Sequence, residues 1–338
     1  MNRVRKQQGV ALLVVLILLV MMSALAAKIS QQFCRNLQKT HYQVSQQQLR
    51  WAMQRQEEEV KHRLLMAISG ENSVLTLQGE WHEPLETQGE YYTVVSQVED
   101  AQDCFNVNNL LAVPATAGKD ETPAPVVTEK PRQQQIVEQL LTDSGVNTLT
   151  AEEIYHQLVD YLDADSLTAR AGQEDDAWAG LEPARLPANR MMLSLNELKL
   201  LPAFPAAAWP KVSKLFCALP TTTSRIDVNT LTAQQAGLLA AQFPGKLTAD
   251  EAKRVIDARP DDGWESVKAF SELLERNAPQ LKDDLKQAAS QFDVNSRFFR
   301  VDYTGNTDEL TLRVVSQLRA ERDTGEVRTW QRRYRMIE

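Results

Sequence analysis

The sequence predicts an α+β fold: a long N-terminal α-helix against an antiparallel β-sheet, with a large α-helical domain inserted in that sheet. Three observations predict it. Residues 10–68 contain neither proline nor glycine, so nothing in that run breaks a helix. Segments rich in β-branched and aromatic residues occur around residues 90–107 and again at the C-terminal end. Between these two regions, helix-start signatures recur.

The N-terminal element begins with MNRVRKQQG, which carries Arg3, Arg5 and Lys6 and no acid. Residues 10–27 follow as an apolar run with Ser23 as its one polar side chain, just long enough for a membrane span at about 1.5 Å per residue. A secretory signal would offer Ala24-Leu25-Ala26 for cleavage, but its apolar part is normally shorter. A plain anchor is a second reading, and Lys28, Arg35 and Lys39 beyond the span leave its orientation unsettled. A third reading makes Gly9 a cleavage point at the border of the basic leader. The helix then continues past the membrane, with Ile29, Phe33, Leu37, Val44 and Trp51 near one face and Leu49, Met53, Val60 and Leu64 on another.

After Ser69-Gly70 the helical pattern ends. Residues 90–98 read as a strand, and residues 104–107 as a second short one. Residues 297–303, 310–319 and 327–336 read as three more, with turn signals at Thr304-Gly305-Asn306 and Thr324-Gly325. The middle of the chain opens with a linker-like stretch, residues 112–135, rich in Pro, Ala, Thr and charge. Three capping-box patterns follow, Thr150-Ala-Glu-Glu153, Ser194-Leu-Asn-Glu197 and Thr248-Ala-Asp-Glu251. An internal echo is visible in Phe105-Asn-Val-Asn108, Ile226-Asp-Val-Asn229 and Phe292-Asp-Val-Asn295.

Composition narrows the function. Against 37 Lys and Arg stand 45 Asp and Glu, a net charge of -8, which opposes a general affinity for nucleic acid. Three cysteines, at 34, 104 and 217, are too scattered for a zinc framework, and any two could form one disulfide in an oxidising compartment. His41, His62, His82 and His156 show no metal spacing and accompany no nucleophile motif, so no catalytic constellation is identified. Residues 226–270 resemble a helix-hairpin-helix DNA-binding module. The basic leader, Gly9 and the apolar helix before it resemble the type IV prepilin family, so the alternative function is a DNA-uptake pseudopilin or a membrane-anchored DNA receptor. However, the turn Phe243-Pro-Gly-Lys-Leu247 has a single glycine, and Asp261-Asp262 lies nearby.

Val159-Asp-Tyr-Leu-Asp-Ala-Asp165, Glu174-Asp-Asp176, Ser194-Leu-Asn-Glu-Leu198, Ile226-Asp-Val-Asn-Thr230 and Phe298-Phe299, in that order, narrow the prepilin resemblance to the general secretion pathway protein K family, the largest minor pseudopilins of type II secretion. It covers the whole chain. It implies a pilin-like fold divided into a leader (residues 1–9), the transmembrane part of the helix (10–27), a first part of the core (28–108), an inserted helical domain (109–290) and C-terminal strands (291–338). It also implies a cap at the tip of a periplasmic pseudopilus that helps initiate its assembly. The partners implied are the minor pseudopilins I and J, and a prepilin peptidase would cut after Gly9 and methylate Val10. The bulk of the chain would lie in the periplasm, anchored once in the inner membrane.

Most pilins have Glu at the fifth mature position, where this chain has Val14. That carboxylate is thought to meet the amine of the neighbouring subunit ahead, and unpaired it is costly in hydrocarbon. Val14 therefore suggests a subunit with none ahead. The resemblance further implies calcium. The candidate ligands are Asp160, Asp163, Asp165, Glu174, Asp175 and Asp176. Asp163, Asp165 and Glu174 imitate the first, third and twelfth positions of an EF-hand, although Leu167 and Thr168 replace a ligand and the turn glycine. Within that fold a Cys104–Cys217 disulfide would tie the insertion to the core, leaving Cys34 unpaired.

Overall fold

A computed structural model of the protein describes residues 8–70, 74–112, 130–164, 172–173 and 175–337. The leader reading falls mostly on residues 1–7, outside the described residues. Helix α1 (Gln8–Ile68) is one continuous element of 61 residues, about 90 Å long at 1.5 Å per residue. Among the described residues one helix is long and apolar enough to cross a membrane, with mean hydropathy 3.0 and no part of that window buried in the protein.

Strands β1 (Leu85–Gln88) and β2 (Thr93–Asp100) follow α1. The chain then leaves for β3 (Phe105–Asn106), α2 (Arg132–Asp143), α3 (Thr148–Leu162), α4 (Asp175–Ala179), α5 (Trp209–Leu215), β4 (Phe216–Cys217) and β5 (Ile226–Asp227). Helices α6 (Ala236–Ala241), α7 (Ala249–Asp257), α8 (Val267–Asn277) and α9 (Lys282–Ala288) lead to β6 (Phe292–Asp293). Strands β7 (Phe298–Asn306), β8 (Thr311–Glu321) and β9 (Glu326–Ile337) complete the chain.

The five long strands form one antiparallel sheet in the order β1-β2-β7-β8-β9. Strand β2 pairs with β7 from Thr93–Asn306 to Asp100–Phe299, so the whole of residues 101–297 is inserted between two neighbouring strands. This is the expected α+β, pilin-like fold with a helical insertion. Two hydrophobic cores result among the described residues. One lies between α1 and the sheet; the other gathers the insertion from Phe105 to Val294. The chain thus departs from the sheet after Asp100 and not at residue 108. The predicted strand at residues 104–107 is not part of the main sheet: its central pair forms β3 and pairs parallel to β4.

Of the two apolar stripes on α1, the one containing Leu49, Met53, Val60 and Leu64 is buried on the sheet, while Ile29, Phe33, Leu37, Val44 and Trp51 remain exposed. Spacing alone does not rank such stripes, because ranking depends on which face meets a partner. The predicted turn at Thr304-Gly305-Asn306 is corrected as well: β7 runs through Asn306, and the turn follows at Thr307, whose N–H donates to Leu310 O at 2.9 Å. Gly305 has a packing role instead. A Cβ there would lie 2.7 Å from Met53 Cε and 3.0 Å from Leu49 Cδ2, so its missing side chain admits α1. Gly325, at φ +65°, does make the β8–β9 turn. The Thr150 capping box is not formed, because α3 starts one turn earlier with Asn147 accepting from Thr150 N–H at 2.9 Å. Ser194 and Thr248 form theirs, as does Thr232 with Gln235.

One buried carboxylate pins α1 to the far side of the sheet. Glu57 accepts from Ser316 Oγ of β8 at 2.8 Å, and from Thr329 Oγ1 and Arg332 Nη2 of β9, each at 2.5 Å. Burial alone would raise its pKa, but the bonds from Thr329, Arg332 and Ser316 outweigh burial and hold it below the usual glutamate value. A depressed folded-state pKa contributes stability above the unfolded value and loses it as pH falls through the folded one. Glu57→Gln is therefore expected to cost about 2 kcal/mol at neutral pH, measured by denaturant unfolding, with the deficit shrinking below about pH 4. A deficit that is equal at both pH values contradicts the carboxylate's role.

Candidate functional site

The insertion is built from two similar halves, and the echoed segments organise them. Each copy places an apolar residue and a valine in the core: Phe105 and Val107, Ile226 and Val228, Phe292 and Val294. Strand β3 pairs parallel to β4, and β5 pairs parallel to β6. The closing asparagines bridge distant backbone. Asn108 donates to Met192 O and Leu219 O at 3.0 and 2.8 Å and accepts from Met192 N–H at 2.8 Å. Asn229 repeats the arrangement, donating to Trp264 O and Val294 O at 3.0 and 3.1 Å and accepting from Trp264 N–H at 2.8 Å. Asn295 reaches out of the insertion, accepting from Leu75 N–H at 3.1 Å. The amides of Asn108 and Asn229 thus stand in for missing strand partners.

Cys104 and Cys217 form a disulfide, with Cα atoms 5.8 Å apart. It staples the short β3–β4 pair, where Phe105 meets Phe216 edge-on at 5.8 Å. The bond therefore closes the first half of the insertion on itself and does not bridge insertion and sheet. Cys34 is an exposed free thiol.

The acidic segment begins at the end of α3. Asp160 is fully buried in the last turn, and Asp163 caps the helix end. The returning chain lies against Asp160, for a Cβ on Gly172 would stand 1.9 Å from its Oδ2; glycine is required for that approach. Trp178 holds the return, its Nε1 donating to Gln173 O at 2.9 Å while its ring meets Tyr161 at 5.5 Å. Asp165 and Glu174 lie outside the described residues, as do the side chains of Asp175 and Asp176 at the start of α4. Among the described residues no three metal-donor side chains converge. What is described fits a hard cation in one respect: a buried carboxylate faces a loop whose backbone closes on it.

The hairpin between α6 and α7 turns at Gly245, φ +69°. The N–H groups of Lys246 and Leu247 donate to Phe243 O, and Lys246 Nζ contacts Asp284 at 2.6 Å. These two donors and the lysine cation are thus engaged within the chain. His82 bonds Val98 O at 2.7 Å, and His156 is buried in α3.

Residues 103–221 and 226–295 match two family profiles, each described as Type II secretion system (T2SS), protein K. The boundary between them falls between β4 and β5, where the two halves of the insertion meet. The chain is 30% identical to the putative type II secretion system protein K of Escherichia coli (strain K12) over 90% of both chains. It is 32% identical to the type II secretion system protein K of Klebsiella pneumoniae, over 78% of this chain and 79% of that one. Its fold is similar to a chain in the crystal structure of the GspK-GspI-GspJ complex from the enterotoxigenic Escherichia coli type 2 secretion system. There the TM-score is 0.74 at 25% identity, covering 88% of this chain and 99% of the other.

The disulfide closes a loop of 113 residues, which the chain-entropy treatment values at about 4–5 kcal/mol. Replacing Cys104 and Cys217 together with Ser should lower stability by a few kcal/mol and leave the sheet intact by circular dichroism. Non-reducing peptide mapping of the unaltered protein should link the two cysteine peptides.

Proposed function

We infer the function from one premise: the chain belongs to the type II secretion system protein K family, and it is a minor pseudopilin of that system. The observation that carries the finer reading is the likeness, over nearly all of a chain from the GspK-GspI-GspJ complex, of both the helix-and-sheet core and its insertion. On that reading this chain joins the minor pseudopilins I and J. The three form the tip of a periplasmic pseudopilus and help start the assembly that exports folded proteins. Its role is structural and not catalytic.

The exposed apolar run at residues 10–27 supports a single span of the inner membrane with the bulk of the chain in the periplasm. Prepilin peptidase removes Met1–Gly9 and methylates the amine of Val10. Partner helices then pack on the mature helix through van der Waals contact, since lipid offers no hydrophobic drive. Val14 supports a place at the tip, where no subunit ahead offers an amine to a carboxylate. The bulk of the insertion supports the same place by obstructing a further subunit above. On this reading residues 1–9 are the leader and 10–27 the membrane part of the helix, and the inserted domain occupies residues 101–297 between β2 and β7. Calcium is proposed at the loop after α3, held by Asp160 and Asp163 together with Asp165, Glu174, Asp175 and Asp176. When bound, the ion neutralises the mutual repulsion of these carboxylates and fixes the loop.

Coexpression with prepilin peptidase and the I and J pseudopilins of the same system should yield one complex containing all three subunits. In it, the intact mass of this chain should be short by residues 1–9 and increased by one methyl group. Cleavage after Ala26, or absence of any complex, contradicts the reading. For calcium, chelator should lower the melting temperature of the full chain in detergent, and calcium should restore it more fully than magnesium, which demands a tighter octahedron. A ligand specific to the folded state adds about 2.7 kcal/mol at roughly a hundredfold excess over Kd. Asp165→Ala or Glu174→Ala should remove most of that response; melting that is indifferent to chelator rules calcium out.

A further inference from the structure

Every covalent path between the sheet and the insertion passes through one buried joint. The chain departs at Asp100–Ala101 and returns at Arg297–Phe298, and Ala101 N–H donates to Phe298 O at 3.0 Å. Gln102 spans both passages. Its Oε1 accepts from Arg297 N–H at 2.6 Å and Phe298 N–H at 3.2 Å, and its Nε2 donates to Arg225 O at 2.7 Å. Asp227 of β5 is fully buried beside them, and its N–H donates to Gln102 O at 3.3 Å.

Two carboxyl groups are therefore enclosed at the joint, and the donors that meet them are neutral. Asp100 Oδ1 accepts from Gln102 N–H at 2.8 Å, and Asp227 Oδ1 accepts from Asn229 N–H at 2.9 Å. Ser296 Oγ donates to Asp227 Oδ2 at 3.2 Å. Thr230 Oγ1 faces two acceptors, Asp100 Oδ2 in a short contact and Asp227 O at 3.2 Å. A threonine hydroxyl carries one proton and also accepts. Both contacts are satisfied when Asp100 is the donor to Thr230, leaving Thr230 to donate to Asp227 O.

The charged groups facing the joint do not compensate two buried anions. Asp103, after β2, accepts from Gln235 Nε2 at 2.7 Å, and Glu99 of β2 and Asp293 of β6 add negative charge. Arg225 lies 3.8 Å from Asp293, Arg300 of β7 pairs with Asp302 at 2.9 Å, and Arg259 after α7 donates to Leu231 O at 2.7 Å. Among the described residues no cation forms an ion pair with Asp100, Asp103 or Asp227.

We propose that Asp100, enclosed beside the buried Asp227, retains a proton that it donates to Thr230 and that seals the joint, so that the insertion and the sheet hold together more tightly as pH falls and less tightly as it rises. Burial raises the pKa of Asp100, and burial with the Asp100 charge raises that of Asp227 well above the aspartate range. Asp103 is pushed up to about 8 by burial, Asp100 and Glu99. A raised folded-state pKa means that the folded chain keeps a proton the unfolded chain has released. Stability is then fully present below about pH 4, falls as pH climbs past that value and is lost through the folded pKa. Each retained proton changes the folding constant about tenfold per pH unit in that window.

The test is denaturant unfolding of the full chain in detergent at about pH 6 and about pH 8, compared with Asp100→Asn, whose amide donates to Thr230 at every pH. The unaltered protein should lose more of its folding constant across this interval than the variant, by up to about tenfold per pH unit. Parallel profiles overturn the proposal, because a merely structural aspartate would shift stability equally at both values. Should the variant fail to fold, infrared spectra of the unaltered chain at about pH 7 decide the matter. A protonated carboxylic C=O band that disappears on alkalinisation supports the retained proton, and its absence overturns it.

Discussion

Strand β2 hydrogen-bonds to β7 along its whole length, from Thr93 to Asp100, although the whole insertion separates the two in sequence. That pairing constrains everything else. The insertion must return its end to where it began, and it does so because Asp100, Gln102, Asp227 and Phe298 tie departure and return to each other. Because the ends coincide, the insertion can have its own core without disturbing the sheet. The sheet in turn keeps an unbroken inner face, with Val98 beside Val301 and Tyr303 beside Val314, on which α1 packs.

Within the insertion, short strands do what longer ones do elsewhere. Pairs of two residues offer few backbone hydrogen bonds, so Asn108 and Asn229, which close the first two Val-Asn segments, add side-chain bonds to distant carbonyls. Cys104–Cys217 reinforces one pair covalently. The other pair has no disulfide and instead carries the buried carboxyl of Asp227, which accepts from the Ser296 hydroxyl. The two halves therefore share a pattern and differ in what secures it.

Much of this was legible in the chain. The helix was readable because proline and glycine are absent from residues 10–68, and β8 because its apolar residues alternate and its burial follows them. Strand β1 was not, since Leu85-Glu-Thr-Gln is an edge strand of mostly polar residues whose stability comes from β2. Gly305 was misread as a turn because glycine serves bends and close packing equally, and only Met53 decides between them. Glu57 and Arg332 are 275 positions apart, and Asp100 and Thr230 are 130 apart. No local pattern announces such pairs. The acidic segment was visible as charge, but which carboxylates turn inward depends on packing; Asp160 is buried because α3 presents it to Gly172.

The separation of β2 from β7 also orders events in time. Closing a loop of some two hundred residues is slow and entropically costly unless the loop has already contracted. The helices of the insertion make short-range contacts, α2 with α3 and α6 with α7, and such contacts form early. A chain emerging from synthesis thus presents α1, β1 and β2 first, with half a sheet and an open edge on β2. That edge stays unsealed until the insertion has collapsed and delivered β7. During this interval the chain is at its most prone to pair wrongly, and speed of collapse in the insertion governs how long the interval lasts.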